Sequence, residues 1–84
     1  MSRIIKLKGD EVTGATSLGA ANSLSNATLV KVYHTAAVTI TVTDSANTQI
    51  GNTTLEAGSH FIAKSPTDKI FTTAGLFTPV GYAD

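Results

Sequence analysis

The sequence predicts an all-β protein, a small antiparallel β-sandwich or open barrel of about six to eight short strands. The first observation is an alternation within residues 36–43, where Val38, Ile40 and Val42 alternate with threonines. This period of two places the aliphatic side chains on one face of a strand and the hydroxyls on the other. A second observation is that turn-forming residues recur at intervals of roughly eight to twelve positions. Both observations favour antiparallel strands with one dry face and one wet face.

Length and composition limit the architecture. The chain has 84 residues and no cysteine, so we expect a single β domain over residues 1–84 with a modest core. Neither a disulfide framework nor a thiolate metal site can reinforce that core. Small folds without such reinforcement gain stability by association. We therefore expect a homo-oligomer.

The N-terminal third divides into a strand and an arm. Ile5 and Leu7 alternate with lysines in residues 1–8, which predicts a first strand. Residues 9–27 are rich in Gly, Ala, Ser and Asn, which predicts an irregular arm that lies on the surface or reaches a neighbouring subunit. A short helix over residues 17–24 is the alternative, although the glycines and asparagine in this region disfavour it.

Six further strands are predicted at residues 28–35, 36–43, 48–55, 60–64, 70–73 and 76–82. The first of them has apolar residues on both faces and is expected to be central. In the second, we expect Thr39, Thr41 and Thr43 to be more exposed than the aliphatic residues between which they lie, because the pairing register fixes which face is buried.

Two positions in the later strands carry special predictions. Ile50 is expected to point inside, and the adjacent Gly51 is a candidate β-bulge. Pro79 lies within the last strand and cannot donate a backbone hydrogen bond. It therefore predicts an edge position or a bulge for that strand.

The charge pattern and the length of the apolar segments argue against two classes of partner. Six Lys or Arg residues balance six Asp or Glu residues, and the basic residues form no dense patch. Nucleic-acid-binding proteins normally concentrate positive charge on one surface, so we predict no nucleic-acid partner. No apolar segment approaches the length of a membrane span or a signal peptide, so no membrane partner is predicted. The fourteen threonines supply much of the surface polarity instead.

The ionisable residues do not form a recognisable catalytic or metal-binding pattern. His34 and His60 lack the spacing of metal ligands, although they could meet across paired strands. Ser59, His60 and Asp68 have the residue types of a catalytic triad, but neighbouring residues on a strand point to opposite faces. No phosphate-binding glycine loop is present. We predict a protein that is not an enzyme and that has no catalytic residues, no metal ligands and no cofactor.

The aromatic residues are few and are spaced at about one per strand, namely Tyr33, Phe61, Phe71, Phe77 and Tyr82. This spacing favours positions in the core of a small β domain. The alternative is a surface that stacks against a glycan or a protein partner. For that alternative the candidate contact residues are Tyr33, Phe77 and Tyr82.

Several segments together resemble short β-rich virion proteins of tailed bacteriophages, especially those that infect marine cyanobacteria. The matching segments are residues 26–33, the Val/Thr alternation with the turn at Asp44, residues 55–58, residues 64–70 and residues 78–82. The resemblance covers residues 26–82. It consists of loose patterns and includes no catalytic signature.

The resemblance implies a structural component of the virion, a capsid decoration or cement subunit made in the cytoplasm of the host bacterium. Its partners would be copies of itself, with a trimer favoured, and the major capsid or tail protein. Two other functions stay open: a glycan-binding module for adsorption to the host, and an adaptor or inhibitor that binds a host protein.

Overall fold

A computed structural model describes residues 4–83 of the chain, and it confirms the predicted all-β fold. The strands are β1 (Ile4–Leu7), β2 (Val12–Thr13), β3 (Leu29–His34), β4 (Val38–Thr43), β5 (Gln49–Leu55), β6 (Gly58–Ala63), β7 (Lys69–Thr72) and β8 (Leu76–Ala83). Within the arm, a short 3₁₀ helix lies at Leu18–Ala20, so the arm is irregular as predicted. The two-residue strand β2 within the arm was not predicted.

The strands form two antiparallel sheets packed as a sandwich. In the five-stranded sheet, β1, β8, β3 and β6 lie side by side in that order, and β2 pairs with β8 beyond the end of β1. In the three-stranded sheet, β4 lies between β5 and β7. β3 is flanked by β6 and β8, which confirms its predicted central position.

The core fills the space between the sheets. Its buried members are Leu24, Ala27, Val30, Val32, Val38, Ile40, Ile70 and Phe77. β3, β4, β7 and β8 supply six of these side chains, and the end of the arm supplies Leu24 and Ala27. Leu24 reaches the core from a left-handed backbone conformation with φ of 53°, which is uncommon for a residue with a branched side chain.

The prediction for the threonines of β4 is wrong at two positions. Val38 and Ile40 pack into the core as expected, and Thr39 is only partly buried. However, Thr41 and Thr43 are buried, and Thr43 is less exposed than Val42. β4 is the middle strand of its sheet, so Thr41 and Thr43 each have a cross-strand neighbour on both sides. Alternation predicts the face of a side chain, but not how well its neighbours cover it.

The edge position predicted from Pro79 is also wrong, because β8 has strand partners on both sides. The N–H of Lys8 donates to the Pro79 carbonyl at 2.9 Å. In an antiparallel strand the N and the carbonyl of one residue face the same side. The proline nitrogen therefore faces Lys8, just beyond the end of β1, and the sheet omits only the reciprocal bond to the Lys8 carbonyl at that point. The buried ring packs beside Gly9.

The arm lies against the edge of its own sandwich. The Thr72 N–H donates to the Ala15 carbonyl at 2.8 Å, and the Ile70 N–H donates to the Asn22 carbonyl at 3.1 Å. These bonds satisfy donors on the outer edge of β7, which would otherwise be unpaired. Of the two predicted positions, the arm therefore occupies the surface of its own subunit. We call this covered flank, the outer edge of β7 with residues 12–22, the closed side.

Candidate interaction site

The opposite flank of the sandwich is formed by two strand edges. β5 ends the three-stranded sheet and β6 ends the five-stranded sheet. Only Glu56 and Ala57 connect these strands, so the two edges lie on the same flank. Among residues 4–83, no strand pairs with the outer edge of either one. We call this flank, the two outer edges with the cleft between them, the open side.

A cleft of about 290 Å³ opens between the two edges. Its apolar lining comes from Ile40, Val42, Ile50 and Ile62, which belong to strands of both sheets. Ile40 is buried, whereas Val42 and Ile62 are only partly buried. Aliphatic side chains of the core therefore continue to the surface along this cleft.

Ile50 does not point into the core as predicted. The register of β4 with β5 shifts between Val42 and Thr43, which pair with Gly51 and Gln49 and leave Ile50 as an extra residue. This is the geometry of a β-bulge, so the predicted bulge is present but Ile50 is its unpaired residue. The Ile50 side chain is 61% exposed and lines the mouth of the cleft.

The edge of β5 carries few of the features that protect edge strands. Proteins usually blunt such edges with charged residues, proline, bulges or a covering segment. β5 reads Gln-Ile-Gly-Asn-Thr-Thr-Leu and has neither a charged residue nor a proline. Its one protective feature is the bulge at Ile50, which leaves Gly51–Leu55 in regular register with β4. The exposed strand offers a row of backbone donors and acceptors to another chain.

A buried lysine marks one end of the open side. Lys64 directly follows β6 and lines the cleft. Its ammonium donates a hydrogen bond to the Ala27 carbonyl at 2.8 Å. Burial lowers the pKa of Lys64, and the nearby Asp68 carboxylate opposes that shift. The ammonium joins the end of β6 to the end of the arm, since Ala27 precedes β3. Its contacts indicate a positioning role within the fold.

The outer face of the five-stranded sheet forms a second exposed apolar surface. Leu7, Tyr33 and Phe61 lie on this face and are 70%, 38% and 43% exposed. Leu29 and Val80 lie on the same face and are buried. The Lys31 ammonium is 6.0 Å from the centre of the Tyr33 ring, which is near the limit of a cation–π contact.

Tyr33, Phe77 and Tyr82 were the candidate contact residues for a glycan or a protein partner, and the structure does not expose all three. Tyr33 is exposed, so it can contact a partner. Phe77 is 1% exposed and belongs to the core, so its assignment as a contact residue is wrong. β8 is an interior strand, and Phe77 faces the opposite sheet. The side chain of Tyr82 lies outside the described residues. Sequence reasoning missed Ile50 and Phe61, whose exposure depends on sheet order.

The residues considered as catalytic or metal-binding candidates lie on two paired strands. His34 ends β3, and Ser59 and His60 lie on β6. Ser59 pairs with Tyr33 and His60 pairs with Val32, so the two side chains point to opposite faces as predicted. His60 places its Nε2 2.8 Å from the Glu56 carbonyl oxygen. Within residues 4–83, no group of three or more His, Cys, Asp or Glu residues is positioned to hold a metal ion.

No family model, curated protein or solved structure matches this chain. In the part of the chain that the structure describes, no helix has the length and apolar character to cross a membrane.

Proposed function

We propose that this chain is a non-enzymatic structural protein that works by packing against copies of itself and against the surface of a larger protein assembly. The observation that carries the proposal is the open side. There, an uncharged edge strand lies beside an apolar cleft that is continuous with the core. Such surfaces are usually covered in the working state of a protein.

The energetics of the open side favour protein contacts over small-molecule chemistry. Another strand at the β5 edge would supply partners for its unpaired backbone groups, and each hydrogen bond contributes roughly 0.5–1.5 kcal/mol net. Covering the apolar cleft would add about 25 cal/mol per Å² of apolar area removed from water. Repetition of such contacts on a symmetric assembly then adds avidity without requiring strong single contacts.

The resemblance to phage virion proteins supports a more specific role, that of a capsid decoration or cement subunit. In this role the open side would join copies of the chain. The apolar outer face, with Leu7, Tyr33 and Phe61, would contact the major capsid or tail protein. The resemblance implies a trimer, and the mass of the assembled protein distinguishes a trimer from a dimer.

A glycan-binding adsorption module is the second candidate. It is favoured by one observation, the exposed ring of Tyr33 on the same sheet face as Phe61. Exposed aromatic rings can stack on sugars, and both rings are available in the isolated subunit. A glycan array separates the candidates, because saturable sugar binding that is lost in Tyr33→Ala would support adsorption.

Light scattering after size-exclusion chromatography at micromolar concentration tests the proposed function. We expect a mass that is a multiple of 8.6 kDa and a melting temperature that rises with protein concentration. A monomer with a concentration-independent melt would contradict the proposal. Detection of the chain in purified, protease-resistant phage particles would support the virion role separately.

A further inference from the structure

We propose that β5 of one copy pairs antiparallel with β5 of a second copy about a two-fold axis at Thr53. The two three-stranded sheets would then join into one continuous six-stranded sheet. This inference rests on the proposed function, because it names the partner of the open side. That partner is a second copy of this chain.

The register follows from the bulge. Because Ile50 is unpaired, the regular part of the edge is Gly51–Leu55, and Thr53 is its central residue. Antiparallel pairing about this centre places Thr53 opposite Thr53 of the second copy and Asn52 opposite the second Thr54. Pairs of hydroxyl and amide side chains are favourable across antiparallel strands. A two-fold interface of this kind closes after two copies.

The side chains on the cleft face fit the same register. Gly51 would lie opposite Leu55 of the second copy. A Cβ at Gly51 would meet nothing within 4 Å, so the space beside Gly51 is open to a larger side chain. Leu55 is partly buried against its own core, and its remaining exposed surface would be covered there. Ile50 extends beyond this pair along the cleft.

Charge also favours a second copy as the partner. β5 has no ionisable side chain, and the chain has a formal net charge of zero, so two copies approach without net repulsion. The nearest charged residue in sequence is Glu56, which directly follows β5. Antiparallel pairing puts the two copies of Glu56 at opposite ends of the joined edge. An alternative pairing of β5 with β6 of the second copy would instead place the two Glu56 turns at the same end.

Single-cysteine variants test this register, since the chain has no cysteine of its own. We expect Thr53→Cys to form a disulfide-linked dimer readily under mild oxidation. Directly opposite Cα atoms lie about 4.5–5.5 Å apart, within the range for disulfides. Asn52→Cys is the matched control, because Asn52 is also exposed and lies on the same strand. In this register its two copies are about 8 Å apart and form little cross-link.

A charge exchange at the same position tests the contact without cross-linking. Thr53→Lys and Thr53→Glu each place like charges directly opposite across the axis, which opposes pairing. We expect each variant alone to dimerise about tenfold more weakly than the wild type, and an equimolar mixture to recover a dimer. Thr67→Lys in an exposed turn is the control and should leave dimerisation unchanged. Recovery in the mixture excludes misfolding as the cause of dissociation.

The outcomes distinguish this inference from the proposed function. A wild-type mass of twice 8.6 kDa with cross-linking at Thr53→Cys and recovery in the charge mixture supports both. A trimer, or an oligomer that ignores the Thr53 variants, overturns the β5 pairing and leaves the structural role intact. Preferential cross-linking of Asn52→Cys also overturns this register. A monomer at all concentrations contradicts both.

Discussion

The closed side and the open side differ in whether the unpaired backbone groups of their edge strands are covered. On the closed side, backbone carbonyls of Ala15 and Asn22 accept hydrogen bonds from the outer edge of β7. On the open side, the longer edge of β5 has no partner among residues 4–83. The chain thus covers the short edge of β7 with its own arm, whereas the longer, uncharged edge of β5 is uncovered within residues 4–83.

The difference depends on side-chain size in the arm. Gly14 is buried where a Cβ would lie 2.7 Å from Thr72 Cγ2 and 3.1 Å from Phe77 Cε2. Small residues therefore let the arm approach the sandwich closely, and ordering each one costs roughly 1–2 kcal/mol of backbone entropy. No segment within residues 4–83 makes a similar approach to β5.

Two phenylalanines provide the largest contrast between the flanks. Phe77 is buried beside the arm, and Phe61 is 43% exposed on the edge strand β6. We expect Phe77→Ala to lower the free energy of unfolding by about 3–5 kcal/mol. Phe61→Ala should lower it by less than about 1 kcal/mol. Urea titrations of dilute protein measure both, and equal losses would contradict the assignment of Phe77 to the core.

Two glycines compare the closed side with the open side through smaller expected changes in the free energy of unfolding. Gly14→Ala should destabilise the fold by about 1–3 kcal/mol, because the methyl group meets Thr72 and Phe77. Gly51→Ala enters open space and should stabilise the isolated subunit by up to about 1 kcal/mol through the unfolded state. Thermal melts at low protein concentration compare the two. A neutral effect of Gly14→Ala would mean that the arm is not packed closely on the sandwich.

Lys64, at one end of the open side, gives the smallest expected effect. Lys64→Met removes the hydrogen bond to the Ala27 carbonyl and should cost about 1 kcal/mol at neutral pH. Because burial lowers the pKa of Lys64 below 10.5, the unfolded chain binds more protons between the lowered pKa and 10.5. The wild type should therefore gain stability relative to Lys64→Met as pH rises through that window, by less than about 1.4 kcal/mol per pH unit. A difference that stays flat or falls with pH would contradict this.

The sequence was sufficient to predict most strands because their alternation and turns are local signals. Residues 36–43 and 48–55 were predicted as strands, and the structure contains Val38–Thr43 and Gln49–Leu55. Local signals do not contain the order of strands in a sheet. For that reason the prediction misplaced Pro79 at an edge, and the alternative hypothesis of a binding surface wrongly included Phe77, which the favoured prediction had placed in the core. The exposure of Thr43 and Ile50 likewise depends on neighbouring strands and on the bulge.

The interaction site was less predictable than the fold. An uncharged edge can be recognised only when the strand order is known, and residues 49–55 look like any half-buried strand. The small residues of the arm have no apolar pattern that would indicate β7 as their contact. The predicted edge at Pro79 is absent, and the arm that could have reached a neighbouring subunit lies on its own sandwich. The proposal of association therefore depends on the open side.

Hydrogen exchange at two protein concentrations tests the central claim most directly. The claim is that the closed side is covered within one subunit and the open side by a second copy. We predict that alternate amides of Gly51–Leu55, those facing away from β4, gain about tenfold protection between low and high micromolar protein. The Ile70 and Thr72 amides, bonded to the arm, should change far less, and Thr53→Lys should reduce the gain at the β5 edge. Fast exchange of the β5 edge at every concentration would contradict the account.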